Sequence, residues 1–204
     1  MNPARVARSD EPETASLHGR ALDHLAYIRS AMEGASSFTA VPGWGGVGMG
    51  TVGLTAAVVA SRQGTAGRWL AVWLAAAGLA AAVGVVALVR KSRRTGHPLT
   101  SAPARKFALA FTPPLVVGAL LTVALAGAGL HRLLPGVWLL LYGTAVAAGG
   151  AFSVRAVPAM GGAIFALGIV ALFVPPMWAD VLLGGGFGAL QVAFGVVVAR
   201  RHGG

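Results

Sequence analysis

Apolar residues in this chain fall into long uninterrupted runs rather than alternating with polar ones. Six runs of 17 to 22 residues contain no Asp, Glu, Lys, Arg or His. A helix needs about 20 apolar residues to cross a bilayer, whereas the strands of a membrane barrel alternate polar and apolar side chains. The pattern therefore predicts an all-α polytopic membrane protein, with transmembrane helices at residues 41–60, 69–89, 107–128, 136–154, 158–174 and 181–199.

The composition supports this prediction. Apolar residues make up 56% of the 204 residues, charged residues make up 11%, and the mean hydropathy is +0.74. Soluble domains carry about 25% charged residues. Cysteine is absent, which excludes disulfides, thiol catalysis and thiolate metal ligands.

The six runs divide the chain into three parts. Residues 1–37 form a cytoplasmic segment that holds no apolar run, so no cleaved signal peptide is expected. Within it, residues 14–34 repeat apolar positions every three or four residues, which predicts an amphipathic helix. This helix could lie on the lipid surface, on the bundle or on a protein partner. Residues 38–199 form the six-helix transmembrane domain and residues 200–204 a cytoplasmic tail.

Basic residues are distributed asymmetrically between the segments that connect the runs. Of the 16 Lys and Arg residues, only Arg62, Arg68 and Arg132 lie in the segments after the first, third and fifth runs. The positive-inside rule then places both termini in the cytoplasm of a bacterial inner (plasma) membrane. Basic loops that contact anionic lipid also account for the net charge of +10, so no nucleic-acid partner is expected.

The stretch GWGGVG, with Gly43, Gly45 and Gly48, fits the spacing G-x-G-x-x-G. A dinucleotide site also needs a preceding strand and an acidic residue about 20 positions on. Here no Asp or Glu occurs between Glu33 and Asp180, and the glycines open a membrane span. We therefore assign these glycines to helix packing rather than to nucleotide binding.

Two small-residue motifs predict where helices approach each other closely. Gly46 and Gly50 form one GxxxG motif, and Gly184 and Gly188 form another. Such faces can pack within the chain, between copies in a homo-oligomer, or against another membrane protein. Tryptophans close to the ends of the spans are expected to anchor the protein at the membrane interfaces: Trp44, Trp69, Trp138 and Trp178.

The chain contains similar segments that indicate three helical hairpins. AVPGWGG from Ala40 resembles AVPAMGG from Ala156, and each opens a span after a cytoplasmic segment. The third hairpin has a glycine-bearing helix, Pro175 in its turn and a glycine-spaced return helix. In these features it resembles the repeated hairpin of the HdeD family, small six-span bacterial membrane proteins associated with acid resistance. That resemblance implies the architecture, but it implies no activity and no functional residue.

The predicted spans hold little that could perform chemistry. All six acidic residues fall outside them, and no catalytic, cofactor-binding or metal-binding residue is expected. The intramembrane polar candidates are Gln191, Tyr142 and Thr122. We expect Gln191 to bridge two helices, with a ligand or solute path as the alternative.

Two functions are compatible with this sequence. The first is a non-enzymatic structural, stress-related or regulatory component that acts through helix packing and cytoplasmic contacts in the lipid bilayer. The alternative is a facilitator or channel for a small neutral or apolar solute. A continuous polar path through the bundle favours the second function, and a solid core favours the first.

Overall fold

The computed structural model describes residues 24–25, 42–95 and 99–202. Six of its helices are long and apolar enough to cross a membrane. The described residues include no β-strand. The chain is an all-α polytopic membrane protein, as the hydropathy pattern predicts, and its apolar helices are in contact with lipid.

The first five spans are single helices, and the sixth changes its helical geometry along its length. The five are α1 (Gly43–Ala60), α2 (Ala66–Thr95), α3 (Ala102–Gly127), α4 (Leu134–Gly150) and α5 (Ala156–Phe173). The last span consists of α6 (Ala179–Leu183), a π-helical segment (Gly184–Leu190) and α7 (Gln191–His202). Single 3₁₀ turns, His131–Leu133 and Pro176–Trp178, precede α4 and α6.

Several helices extend beyond the apolar runs that predict them. α2 continues through four basic residues to Thr95, because long basic side chains can reach water from a helix end. The last span includes Asp180, so this acidic residue lies inside a helix that sequence analysis begins one residue later. A carboxylate in the first turn interacts favourably with the helix dipole.

The spans form an arc rather than a closed ring. Packing neighbours follow the order α2, α1, last span, α5, α4 and α3. α2 and α3 stand at the two ends of the arc, and they are the least buried spans of the described chain. The prolines inside α3, Pro113 and Pro114, do not interrupt its helix.

Glycine allows α1 and the last span to approach each other closely. All four glycines of the predicted motifs lie in this contact, so the first and last spans of the chain are neighbours. A Cβ added at Gly50 would lie 2.8 Å from the carbonyl oxygen of Gly188, and one at Gly188 would lie 2.7 Å from Leu54. At Gly46 and Gly184 an added Cβ would meet the partner helix at 3.3 and 2.9 Å.

A second close contact joins α4 to α5. A Cβ added at Gly143 would lie 2.8 Å from the carbonyl oxygen of Gly161, and one at Gly161 would lie 2.7 Å from that of Gly143. Both contacts involve backbone atoms, which cannot move aside as a side-chain end can. The two glycine-mediated contacts fix the inner part of the arc.

The amphipathic helix expected at residues 14–34 lies outside the described residues, except for His24 and Leu25. These two residues are helical and exposed. The predicted tail begins within α7, which continues to His202.

Candidate functional site

The arc encloses a cavity of about 840 Å³ that is lined by side chains from all six spans. Its lining is nearly all apolar and includes no Asp, Glu, Lys, Arg or His. The polar side chains at its wall include Gln191, Tyr142 and Thr122. We call this cavity the groove, because it opens along one side of the bundle.

The groove opens between α2 and α3. These helices do not pack along each other, and the residues that they contribute to the groove remain exposed, among them Leu74, Val85 and Leu115. They meet at one end, where Leu88 of α2 and Phe107 of α3 pack against Ala104. The opening therefore faces lipid along the middle of the two helices.

Tryptophans close the other end of the groove. The indole of Trp69 on α2 stacks on that of Trp138 on α4, with ring centroids 5.7 Å apart and planes 2° from parallel. Trp138 Nε1 donates to Thr122 Oγ1 of α3 at 2.8 Å. This chain of contacts connects the two outermost helices through α4.

Asp180 holds two of the indoles in place. Its Oδ1 accepts hydrogen bonds from Nε1 of Trp69 at 2.7 Å and from Nε1 of Trp73 at 3.0 Å. Trp69 and Trp73 lie one helical turn apart on α2, so both side chains reach the first turn of the last span. A carboxylate bonded by two donors is a strong acceptor, and it fixes α2 against the last span.

A smaller cavity of about 330 Å³ lies among three turns, those between α1 and α2, between α3 and α4, and between α5 and the last span. We call these the hairpin turns. It is more polar than the groove, and its lining includes Gln63, His131, Arg132 and Asp180. Trp69 borders this cavity, whereas Trp73 and Trp138 border the groove. The hydrogen-bonded indoles therefore stand between the two cavities.

Gln191 lies at the wall of the groove and is only 6% exposed. Its Nε2 donates to the hydroxyl of Tyr142 at 3.2 Å, which links the last span to α4. Its Oε1 is buried and has no hydrogen-bond partner within the described chain. Tyr142 in turn packs edge-on against Phe187 and Phe111, at centroid distances of 5.1 and 6.2 Å.

The π-helical segment ends immediately before Gln191. Such segments are rare and frequently occur at functional sites. Gly184, Gly186 and Gly188 are its buried residues, and Phe187 projects towards Tyr142 and Trp73. The segment thus places one aromatic side chain and one amide at the same part of the groove.

The structure places the predicted residues in three settings. Gln191 and Tyr142 are bonded to each other, while Thr122 lines the same groove and bonds to Trp138. Trp44 and Trp178 are 63% and 50% exposed, and their role as interface anchors stays a prediction.

The indole N–H groups of Trp69 and Trp138 bond to Asp180 and Thr122 inside the protein. Their role as interface anchors stays a prediction. Both side chains also stand at one end of the groove.

Sequence analysis did not find Trp73, Asp180 and Phe187. Two signals in the sequence could have pointed to Trp73 and Asp180. Trp73 follows Trp69 by four residues, which places both on one helical face, and Asp180 is the only acidic residue after Glu33. Phe187 gives no such signal, because an aromatic residue in an apolar run most often faces lipid or core.

Comparisons with protein-family models, curated proteins and solved structures find no match to this chain. The described residues contain no group of three or more His, Cys, Asp or Glu side chains that could hold a metal ion. The candidate functional site is the apolar groove, with Gln191, Tyr142 and Thr122 at its wall.

Proposed function

We propose that this protein is a non-enzymatic integral membrane protein that binds one small apolar molecule in the groove. The molecule enters from the lipid phase between α2 and α3. The observation that carries the proposal is the apolar groove of about 840 Å³ that is open to the side of the bundle. The proposal shares a small apolar solute with the alternative of sequence analysis, a facilitator or channel, but it assigns binding rather than passage.

The dimensions of the groove favour a small molecule. Ligand pockets measure roughly 300 to 1,000 Å³ and combine apolar walls with a few polar groups. An ion or a highly polar solute would need carbonyls, charges or water along its route. Besides the cluster around Gln191 and the hydroxyl groups of Thr112 and Thr122, the groove offers apolar side chains, so a molecule that dissolves in lipid is favoured.

Binding is favoured over free passage across the membrane. Trp69, Trp73 and Trp138 separate the groove from the smaller cavity, and the first two are held by Asp180. A facilitator would have to move these indoles during each crossing. A regulatory or stress-related component needs only to bind the molecule.

We place the protein in a bacterial inner membrane with both termini in the cytoplasm. The support is the distribution of basic residues, which concentrate before α1, in the last turns of α2 and the first turn of α3, and in the last turn of α7. The three hairpin turns and the smaller cavity then lie on the outer side.

Tryptophan fluorescence can test binding, because three of the five tryptophans lie at or beside the groove. Trp44→Phe and Trp178→Phe would remove the two exposed reporters. In lipid nanodiscs, 1-bromododecane should then quench the remaining tryptophans in a saturable manner. Quenching that rises only linearly with the bromododecane content of the bilayer would contradict the proposal.

A pair of neighbouring residues supplies the control. Ala81 and Ala82 of α2 are both exposed, but only Ala81 lines the groove. Ala81→Phe should fill part of the groove and abolish saturable quenching. Ala82→Phe adds the same volume outside the groove and should leave the saturable quenching unchanged. Equal quenching in both variants would mean that bromododecane binds outside the groove.

A further inference from the structure

The free acceptor on Gln191 points to the chemistry of the bound molecule. We infer that the ligand of the groove is a neutral long-chain alcohol whose hydroxyl group donates a hydrogen bond to Gln191 Oε1. This inference rests on the proposed function and names the class of molecule for the same site. Two independent features support it, namely the groove itself and a buried acceptor at its wall.

An acceptor without a hydrogen bond costs more free energy inside a membrane than at a surface where water can donate to it. Hydrocarbon offers no hydrogen bonds, so an unpaired carbonyl oxygen there is strongly unfavourable. No donor within the described chain reaches Oε1. The indole donors nearby, those of Trp73 and Trp138, are already bonded to Asp180 and Thr122.

A hydroxyl group suits this position better than other polar groups. Tyr142 accepts from Gln191 Nε2, and the hydroxyl hydrogen of Tyr142 has no acceptor among the described residues. The pair therefore offers one acceptor and one donor, and a hydroxyl group can satisfy both.

The absence of charge at the groove argues against charged head groups. Its lining includes no Asp, Glu, Lys, Arg or His, so neither an ammonium nor a carboxylate would find a partner. Transfer of an unpaired charge into such a site is far more unfavourable than transfer of a hydroxyl. The ligand is therefore neutral.

The depth of Gln191 separates this ligand from an ordinary membrane phospholipid. Gln191 begins α7, ten residues before Arg201, which corresponds to roughly 15 Å along the helix. This distance is about half of a hydrocarbon core of ~30 Å. A phospholipid keeps its polar groups at the interface, so only an acyl chain would reach Gln191. A small alcohol can carry its hydroxyl to that depth.

Competition against bromododecane quenching tests the inference. The competitors are dodecan-1-ol, its methyl ether and dodecane, each compared at equal mole fraction in the nanodisc bilayer. For the protein with Trp44→Phe and Trp178→Phe, dodecan-1-ol should compete roughly three- to tenfold more strongly than the other two, as one membrane-buried hydrogen bond allows. The methyl ether can accept from the Tyr142 hydroxyl but cannot donate to Gln191 Oε1, so it should compete less strongly than dodecan-1-ol.

Gln191→Leu provides the matching variant. It should bring dodecan-1-ol down to the level of dodecane while bromododecane still quenches saturably, which also verifies folding. Thr112→Val removes a different hydroxyl from the groove lining and should leave the alcohol preference intact.

The outcomes separate the two proposals. Saturable quenching with equal competition by all three compounds would overturn the alcohol inference and leave groove binding in place. An alcohol preference that survives Gln191→Leu, or disappears in Thr112→Val, would also overturn it. Failure of bromododecane to quench saturably would instead overturn the proposed function. If Gln191→Leu does not fold, the competition by dodecan-1-ol, its methyl ether and dodecane in the protein that retains Gln191 still decides the alcohol inference.

Discussion

Single polar residues inside this bundle act far from their neighbours in sequence. Asp180 lies 111 positions after Trp69, and Gln191 lies 49 positions after Tyr142, yet each pair shares a hydrogen bond. Each bond connects the last span to a different helix, Asp180 to α2 and Gln191 to α4. A few side chains therefore define both the end and the wall of the groove.

Replacement of Asp180 tests whether the indoles are held by its carboxylate. Asp180→Ala should lower the free energy of unfolding by about 1–3 kcal/mol, because two indole N–H groups lose their acceptor. Asp180→Asn keeps a carbonyl oxygen at the same place and should lose less. Thermal unfolding in mild detergent measures both. Equal stability of the Ala variant and the unmodified protein would exclude a structural role for these bonds.

At the level of helices, glycine determines which spans touch. The contacts of α1 with the last span and of α4 with α5 bring backbone atoms together at several positions. In lipid, where apolar burial gives little drive for association, such close packing supplies much of the attraction between helices. α2 and α3 lack comparable glycine contacts with each other, which leaves the groove open between them.

Two neighbouring glycines of α5 allow a matched test of this packing. A Cβ at Gly161 would lie 2.7 Å from the carbonyl oxygen of Gly143, whereas one at Gly162 meets nothing within 4 Å. Gly161→Ala should therefore destabilise the protein by about 1–3 kcal/mol through overpacking. Gly162→Ala should be neutral or slightly stabilising, because alanine favours helix. Similar unfolding temperatures for both variants would contradict the close-packing account.

For the whole molecule, the proposed orientation in the membrane rests on the distribution of basic residues along the chain. The chain has no native cysteine, so single cysteines report their own position. Gly64→Cys and Arg132→Cys, both in exposed turns, should react with an impermeant thiol reagent added to intact cells. Thr100→Cys, exposed in the loop between α2 and α3, should react only after permeabilisation. The reverse pattern would invert the proposed topology.

The sequence predicts the number of spans and their positions because the bilayer imposes a length of about 20 apolar residues on each helix. It also identifies Gly46, Gly50, Gly184 and Gly188 as packing positions, although not which helices they join. The groove could not be predicted in the same way. Residues that face lipid and residues that face an apolar groove, such as Ala82 and Ala81, are chemically the same.

The polar groups show the same limit. Gln191 and Tyr142 are recognisable as unusual in an apolar run, and the structure adds that they are bonded to each other. The free Oε1 of Gln191 depends on the fold, because only the positions of the neighbouring helices decide which donors come within reach.

Binding of a lipid-soluble molecule between α2 and α3 is the central claim, and native mass spectrometry measures it most directly. Protein released from nanodiscs that contain dodecan-1-ol should retain one alcohol molecule per chain. Ala82→Phe should retain it equally, and Ala81→Phe should retain none. Loss of the adduct only in the Ala81 variant is the result that we predict. Equal retention by all three proteins, or no retained alcohol in any of them, would contradict the account.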